Sequence, residues 1–125
     1  FISNDYDLSI LLQQSKLYDA KYGFCQFYST EKYIQGGLEN ENFIAYGYED
    51  NERYHRFKLL GYNVGRYDGN VYHMEHERTP NSWFTNPYIE NNKNLYEQIL
   101  KFDTQQLLDY YDAQEYLKTQ KAKVK

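Results

Sequence analysis

Apolar and polar positions follow two different periods along this chain, and together they predict an α+β fold. Helical spacing predicts elements at 8–18, at 30–35 with Gly36-Gly37 as the stop, and at 51–60 with Gly61 in the usual left-handed cap position. In the third of these, Tyr54, Phe57 and Leu60 share a face that would pin the helix to a core. Two further helices follow. Ile89, Asn92, Tyr96 and Ile99 mark one beside Leu95 and Phe102; Leu107, Tyr110, Tyr111, Gln114 and Leu117 mark the other, with Asp103-Thr104 placed to cap it. Alternation of period two predicts strands at 24–28, 63–67 and 71–74, and the Asp68-Gly69 turn signal joins the last two into a β-hairpin. The stretch 77–87, with Pro80, Trp83 and Phe84, reads as a long polar loop.

Composition changes the picture of the core. The 125 residues hold sixteen Tyr and seven Phe against one Met, within 41% hydrophobic content, enough for one modest core built largely of rings with polar tips. Such rings also suit carbohydrate platforms, although a tyrosine-rich core accounts for most of them. A net charge of −4 argues against a general nucleic-acid partner. No apolar run approaches membrane-spanning length, no signal peptide is visible, and Cys25 alone excludes an internal disulfide, which fits a reducing cytoplasm. The four lysines of 118–125 predict a solvated, frayed tail; attraction to the anionic inner face of a membrane is the alternative.

Two motifs carry candidate chemistry. Glu49-Asp50 stands between an aromatic, glycine-containing turn (Tyr46-Gly47-Tyr48) and the predicted helix at 51–60. A helix N-terminus favours an ionised carboxylate, and glycine lets another molecule approach the backbone, so the pair suits acid–base work. The plainer reading makes Asp50 an N-cap. Downstream, His73, Glu75, His76 and Glu77 offer four groups able to ligate a divalent ion. Their spacing fails the helical His-Glu-x-x-His pattern, and one cysteine cannot build a thiolate zinc site, so any metal needs ligands from elsewhere. An ordinary surface role is the alternative for both histidines.

Taken together these motifs, with Gly23-Phe24-Cys25-Gln26-Phe27, the run from Tyr33 to Phe43 and Leu60-Gly61-Tyr62, resemble the C-terminal half of a GT-A-fold glycosyltransferase. The resemblance covers 23–102 and is to family-two-like and galactosyltransferase-type segments that build surface polysaccharides such as capsule. It implies residues 1–102 as the acceptor side of a transferase domain and 103–125 as a C-terminal helix and basic tail. It implies Asp50 as general base toward an acceptor hydroxyl, with Glu49 holding the acceptor sugar. Tyr46, where relatives often carry tryptophan, becomes a sugar platform, with Gly47, Tyr48 and Gly23 beside it. His76, or failing it His73, becomes a ligand of Mn²⁺ or Mg²⁺. Arg78 either pairs with the donor pyrophosphate or is a solvated loop charge, and Trp83 either closes over a sugar or anchors packing.

The same resemblance implies a cytoplasmic, metal-dependent hexosyltransferase that uses a nucleotide-sugar donor, UDP-sugars favoured, and a saccharide acceptor. Its acidic metal motif is matched in letters only by Asp5-Tyr6-Asp7, which precedes an amphipathic run and reads as a helix cap. With no room for a nucleotide-binding half, the chain is expected to be a piece of a longer enzyme, inactive alone. A non-catalytic carbohydrate-binding module is the rival reading. A hydrolase ranks last, because adjacent carboxylates rarely flank one bond from opposite sides.

Overall fold

The computed structural model describes residues 8–16, 22–73, 76–82 and 85–123. Its helices are α1 (Leu8–Gln14), α2 (Thr30–Gln35), α3 (Glu49–Leu59), α4 (Ile89–Ile99), α5 (Thr104–Asp112) and α6 (Glu115–Lys123). Among the described residues there is no strand, so the expected α+β architecture with a β-hairpin is replaced by a helical one. The alternation at 24–28 buries no face: Phe24 turns to φ 61°, the Cys25 N–H folds back to Gly23 O at 2.9 Å, and Phe27 is 92% exposed. In the expected hairpin, Tyr67 is fully exposed and Val71 largely so, and two strands without a packed face do not persist in water. Met74, at the end of that expected hairpin, lies outside the described residues, as do Asp5, Tyr6 and Asp7.

Local stop and start signals act where they were read. α2 ends in paired bonds from Gly37 N–H to Ile34 O (3.2 Å) and Leu38 N–H to Tyr33 O (3.0 Å), with Gly37 at φ 94°. α3 ends the same way, through Gly61 N–H to Lys58 O (3.0 Å) and Tyr62 N–H to Phe57 O (2.9 Å), and the Tyr62 and Phe57 rings pack at 5.5 Å. Asp103 caps α5 in a reciprocal box with Gln106. The expected single helix over 107–117 is instead two, because the chain bends at Ala113-Gln114 and thereby turns Leu117 into the core. The expected frayed tail is helical through Lys123.

The core joins Leu38, Phe43, Ile99, Leu107, Tyr111 and Leu117, so the loop after α2 closes against α4, α5 and α6. α3 packs on α4. Its buried face differs from the apolar one expected: Tyr54 is exposed, and Glu52, Arg53, Arg56 and Phe57 are buried. Arg56, wholly buried, donates to Glu52 Oε1 (3.0 Å), Leu38 O (2.8 Å) and Gly36 O, and its guanidinium lies 4.4 Å from the Tyr111 ring centroid. The Tyr111 hydroxyl donates to the same Glu52 oxygen at 2.7 Å. One salt bridge therefore ties α3 to the α2 terminus and to α5.

Candidate functional site

The turn before α3 is held in an unusual backbone. Ala45 (φ 58°), Gly47 (φ 132°) and Tyr48 (φ 72°) all have positive φ, a conformation that costs a non-glycine residue on the order of 1 kcal/mol or more and persists only where neighbours enforce it. The enforcing neighbours are two buried asparagines. Asn92, on α4, accepts from Ile44 N–H (3.1 Å) and donates to Ile44 O and Gly47 O (both 3.0 Å). Asn86 donates to Ile44 O (3.0 Å) and Tyr46 O (2.9 Å). These amides pair three carbonyls and one N–H of the turn, as a partner strand would for a strand. Tyr48 stacks on Tyr96 of α4 at 5.7 Å, while Tyr46 is exposed and Gly47 buried.

Tyr48, not Asp50, is the N-cap of α3, so both carboxylates sit inside its first turn. The Glu49 carboxylate accepts the Gly47 N–H at 2.6 Å. Burial pushes Glu49 above its ordinary value, opposed by bonds from its own and the Gly47 N–H groups. Asp50 is differently placed: its Oδ1 accepts from Arg53 Nη1 (2.7 Å) and Gln26 Nε2 (2.8 Å). Its Oδ2 lies against Gly23, where a Cβ would collide with it. Gly23 is thus a close-approach glycine beside the acidic pair.

Arg53 is the hub of this corner. Beyond Asp50 it donates to Gln26 Oε1 (2.9 Å), Tyr28 OH (3.3 Å) and Glu39, and Glu39 also accepts the Tyr33 hydroxyl. Burial works against its charge, but the Tyr28 hydrogen bond and the Glu39 carboxylate outweigh it and raise the group above its ordinary value. Sequence reading passed over Arg53, Gln26, Asn86 and Asn92 as site residues. Two signals were present: Arg53 stands at the ion-pair spacing from Asp50, and Asn92 interrupts an otherwise apolar stripe. Gln26 and Asn86 carry no local signal, because their partners are distant in sequence.

The histidines approach the same corner through rings. Phe24, next to Gly23, meets His73 edge-on at 5.9 Å, and His73 meets His76 at 5.4 Å. Both imidazoles are exposed, and His76 Nδ1 lies 2.9 Å from Glu77 O. Among the described residues no three His, Cys, Asp or Glu side chains gather as a metal-binding group, so the histidine pair is at most part of a Mn²⁺ or Mg²⁺ site. Arg78 is exposed on the following loop. Glu75 and Trp83 lie outside the described residues. No described helix is long and apolar enough to cross a membrane.

The sequence pattern of a family described as the N-terminal domain of galactosyltransferase matches residues 15–77, half of the chain, taking in Gly23, the clamped turn, the acidic pair and both histidines. No curated protein and no solved structure matches the chain. The matched family carries the glycosyltransferase kinship that the motifs suggested, under a description that names an N-terminal domain and not a C-terminal half of a GT-A fold. The chain belongs to this galactosyltransferase N-terminal domain family and carries a glycosyltransferase-related domain.

Proposed function

We propose that this domain serves a glycosyltransferase that moves a sugar from a nucleotide-sugar donor, a UDP-sugar by preference, to a hydroxyl of a saccharide acceptor in the assembly of a surface polysaccharide. The observation that carries the reading is the pair of carboxylates in the first turn of α3, behind a turn that Asn86 and Asn92 hold rigid, inside the galactosyltransferase-family match. Asp50 is the general base. Its carboxylate takes the acceptor hydroxyl proton as that oxygen bonds to the anomeric carbon; the bond from that carbon to the donor phosphate breaks, and its electrons leave with the nucleoside diphosphate. Direct displacement of this kind inverts the anomeric centre. Glu49, tied to Gly47, shapes the turn and presents Tyr46, whose exposed ring is a platform for the acceptor. A divalent ion would neutralise the leaving phosphate, with His76 and His73 supplying two ligands and the rest coming from beyond this pair.

The test uses the full-length natural protein, with UDP release from a panel of UDP-sugars and monosaccharide acceptors as the readout. Asp50→Asn should lower turnover by about two to four decades while leaving calorimetric donor binding unchanged. Unchanged turnover in that variant would remove Asp50 from the reaction. A second reading, saccharide binding without transfer, is favoured by the exposed rings of Phe24, Phe27 and Tyr46 around the acidic corner. It gains if the panel binds saccharides but releases no UDP.

A further inference from the structure

Asp50 has two carboxylate oxygens in unlike settings. Two donors, the Arg53 guanidinium at 2.7 Å and the Gln26 amide at 2.8 Å, converge on Oδ1, and the same guanidinium nitrogen holds Gln26 Oε1 at 2.9 Å. The three side chains thus close a triangle that also fixes which way the Gln26 amide faces. No described donor reaches Oδ2, which lies beside the bare Cα of Gly23. Rotation about the terminal torsion of an aspartate is otherwise broad, and here it would break both bonds to Oδ1 at once. Arg53 is in turn kept in place by Glu39 on its other terminal nitrogen, and by Tyr28 on the nitrogen that faces Asp50.

We infer that Gln26 and Arg53 are positioning residues that hold the Asp50 carboxylate in one orientation, with Oδ2 as the oxygen that takes the acceptor proton and Gly23, lacking a side chain, making room for that oxygen. The inference rests on the reading of Asp50 as general base, but the clamp itself does not. Gln26 is exposed and sits on an irregular segment, so its replacement leaves the core untouched. Arg53 is buried and bonded to four side chains, so its variants are the less clean probe.

In the full-length protein, Gln26→Ala is expected to lower kcat about tenfold, the scale of one hydrogen bond to a charged group, with the KM for the UDP-sugar and the melting temperature unchanged. Gln26→Glu keeps the length of the side chain but sets a carboxylate against Asp50, so its kcat should fall further than that of Gln26→Ala. A merely structural role would give equal kcat in both variants, and that result overturns the inference. Crystal structures of the full-length wild type and of Gln26→Ala supply a readout that needs no turnover. The Asp50 carboxylate should occupy one orientation in the first and two in the second; a single unchanged orientation in Gln26→Ala overturns the clamp. Where Asp50→Asn alone leaves turnover intact, the catalytic reading fails and takes the Oδ2 assignment with it, while the crystal structures still judge the clamp.

Discussion

Glu49 and Asp50 are neighbours in sequence with opposite surroundings. Asp50 faces a guanidinium and an amide, whereas Glu49 is half-buried, has no cation bonded to it among the described residues, and leans on backbone N–H groups. Burial disfavours the charged form, so the folded-state value of Glu49 lies above its value of 4.5 in an unfolded chain. The sign of the linkage follows. Stability from Glu49 is fully present below that unfolded value and is lost as pH rises through the raised folded value, because the folded state then holds a desolvated charge. Glu49→Gln keeps an oxygen for the Gly47 N–H and never ionises. Its stability relative to wild type should therefore climb as pH rises from about 4 toward neutrality, then level off. Urea unfolding of both proteins across that range checks this, and a difference that stays flat would mean Glu49 ionises as freely in the folded state as in the unfolded chain. Arg56 and Glu52 show the complementary solution, in which a buried ion pair is held by two backbone carbonyls on the Arg56 guanidinium and a tyrosine hydroxyl on Glu52 Oε1.

At the scale of elements, what was legible in the sequence is what is local. The glycine stops after α2 and α3 and the Asp103 box before α5 each use residues within a few positions of one another, so the letters sufficed. The turn over 44–48 was not legible, since its geometry depends on bonds to Asn86 and Asn92 that span 40 to 48 positions. The buried face of α3 was misread for a related reason. Arg53 and Arg56 look like solvated charges until Glu39, Glu52 and two backbone carbonyls from other segments are set around them. Asn92 is the sharpest test of this dependence. Asn92→Leu preserves size but leaves the Gly47 carbonyl and the Ile44 N–H without their partner, while Ile44 O keeps its bond from Asn86, at about 1–3 kcal/mol for each buried orphan. An expected loss of about 3 kcal/mol, after partial rehydration, should appear as a lower urea midpoint with an unchanged slope. Amide exchange at Gly47 and Tyr48 should quicken in the same variant, and wild-type protection there would show that the strained turn holds itself.

Across the whole molecule, the choice between sheet and helix was decided by where apolar area could be buried, and tyrosine supplied much of that area. Alternation at 63–67 and 71–74 could not compete, because those rings had no second layer to meet, whereas Tyr111 and its neighbours close on α3 and the loop after α2. A core of this kind carries a signature at high pH. Burial raises the phenol of Tyr111, and the Glu52 carboxylate raises it further; burial likewise raises Tyr28, Tyr33, Tyr96 and Tyr116. An unfolded chain ionises these phenols from their ordinary value of 10.0 upward, while the folded one keeps them protonated. The folded state then binds more protons, so stability falls as pH rises above that value, by about 1.4 kcal/mol per pH unit for each phenol that ionises only on unfolding. A chain already at −4 gains further self-repulsion as its surface tyrosines ionise. Unfolding should therefore be cooperative with alkali, with phenolate absorbance and loss of helical circular dichroism rising together above about pH 10. Tyr111→Phe removes one such proton but also one donor to Glu52, so it should flatten the alkaline slope while lowering stability at neutral pH. Phenolate absorbance that saturates before any helix is lost would mean that the tyrosines titrate within the folded protein, and that the core does not hold them neutral.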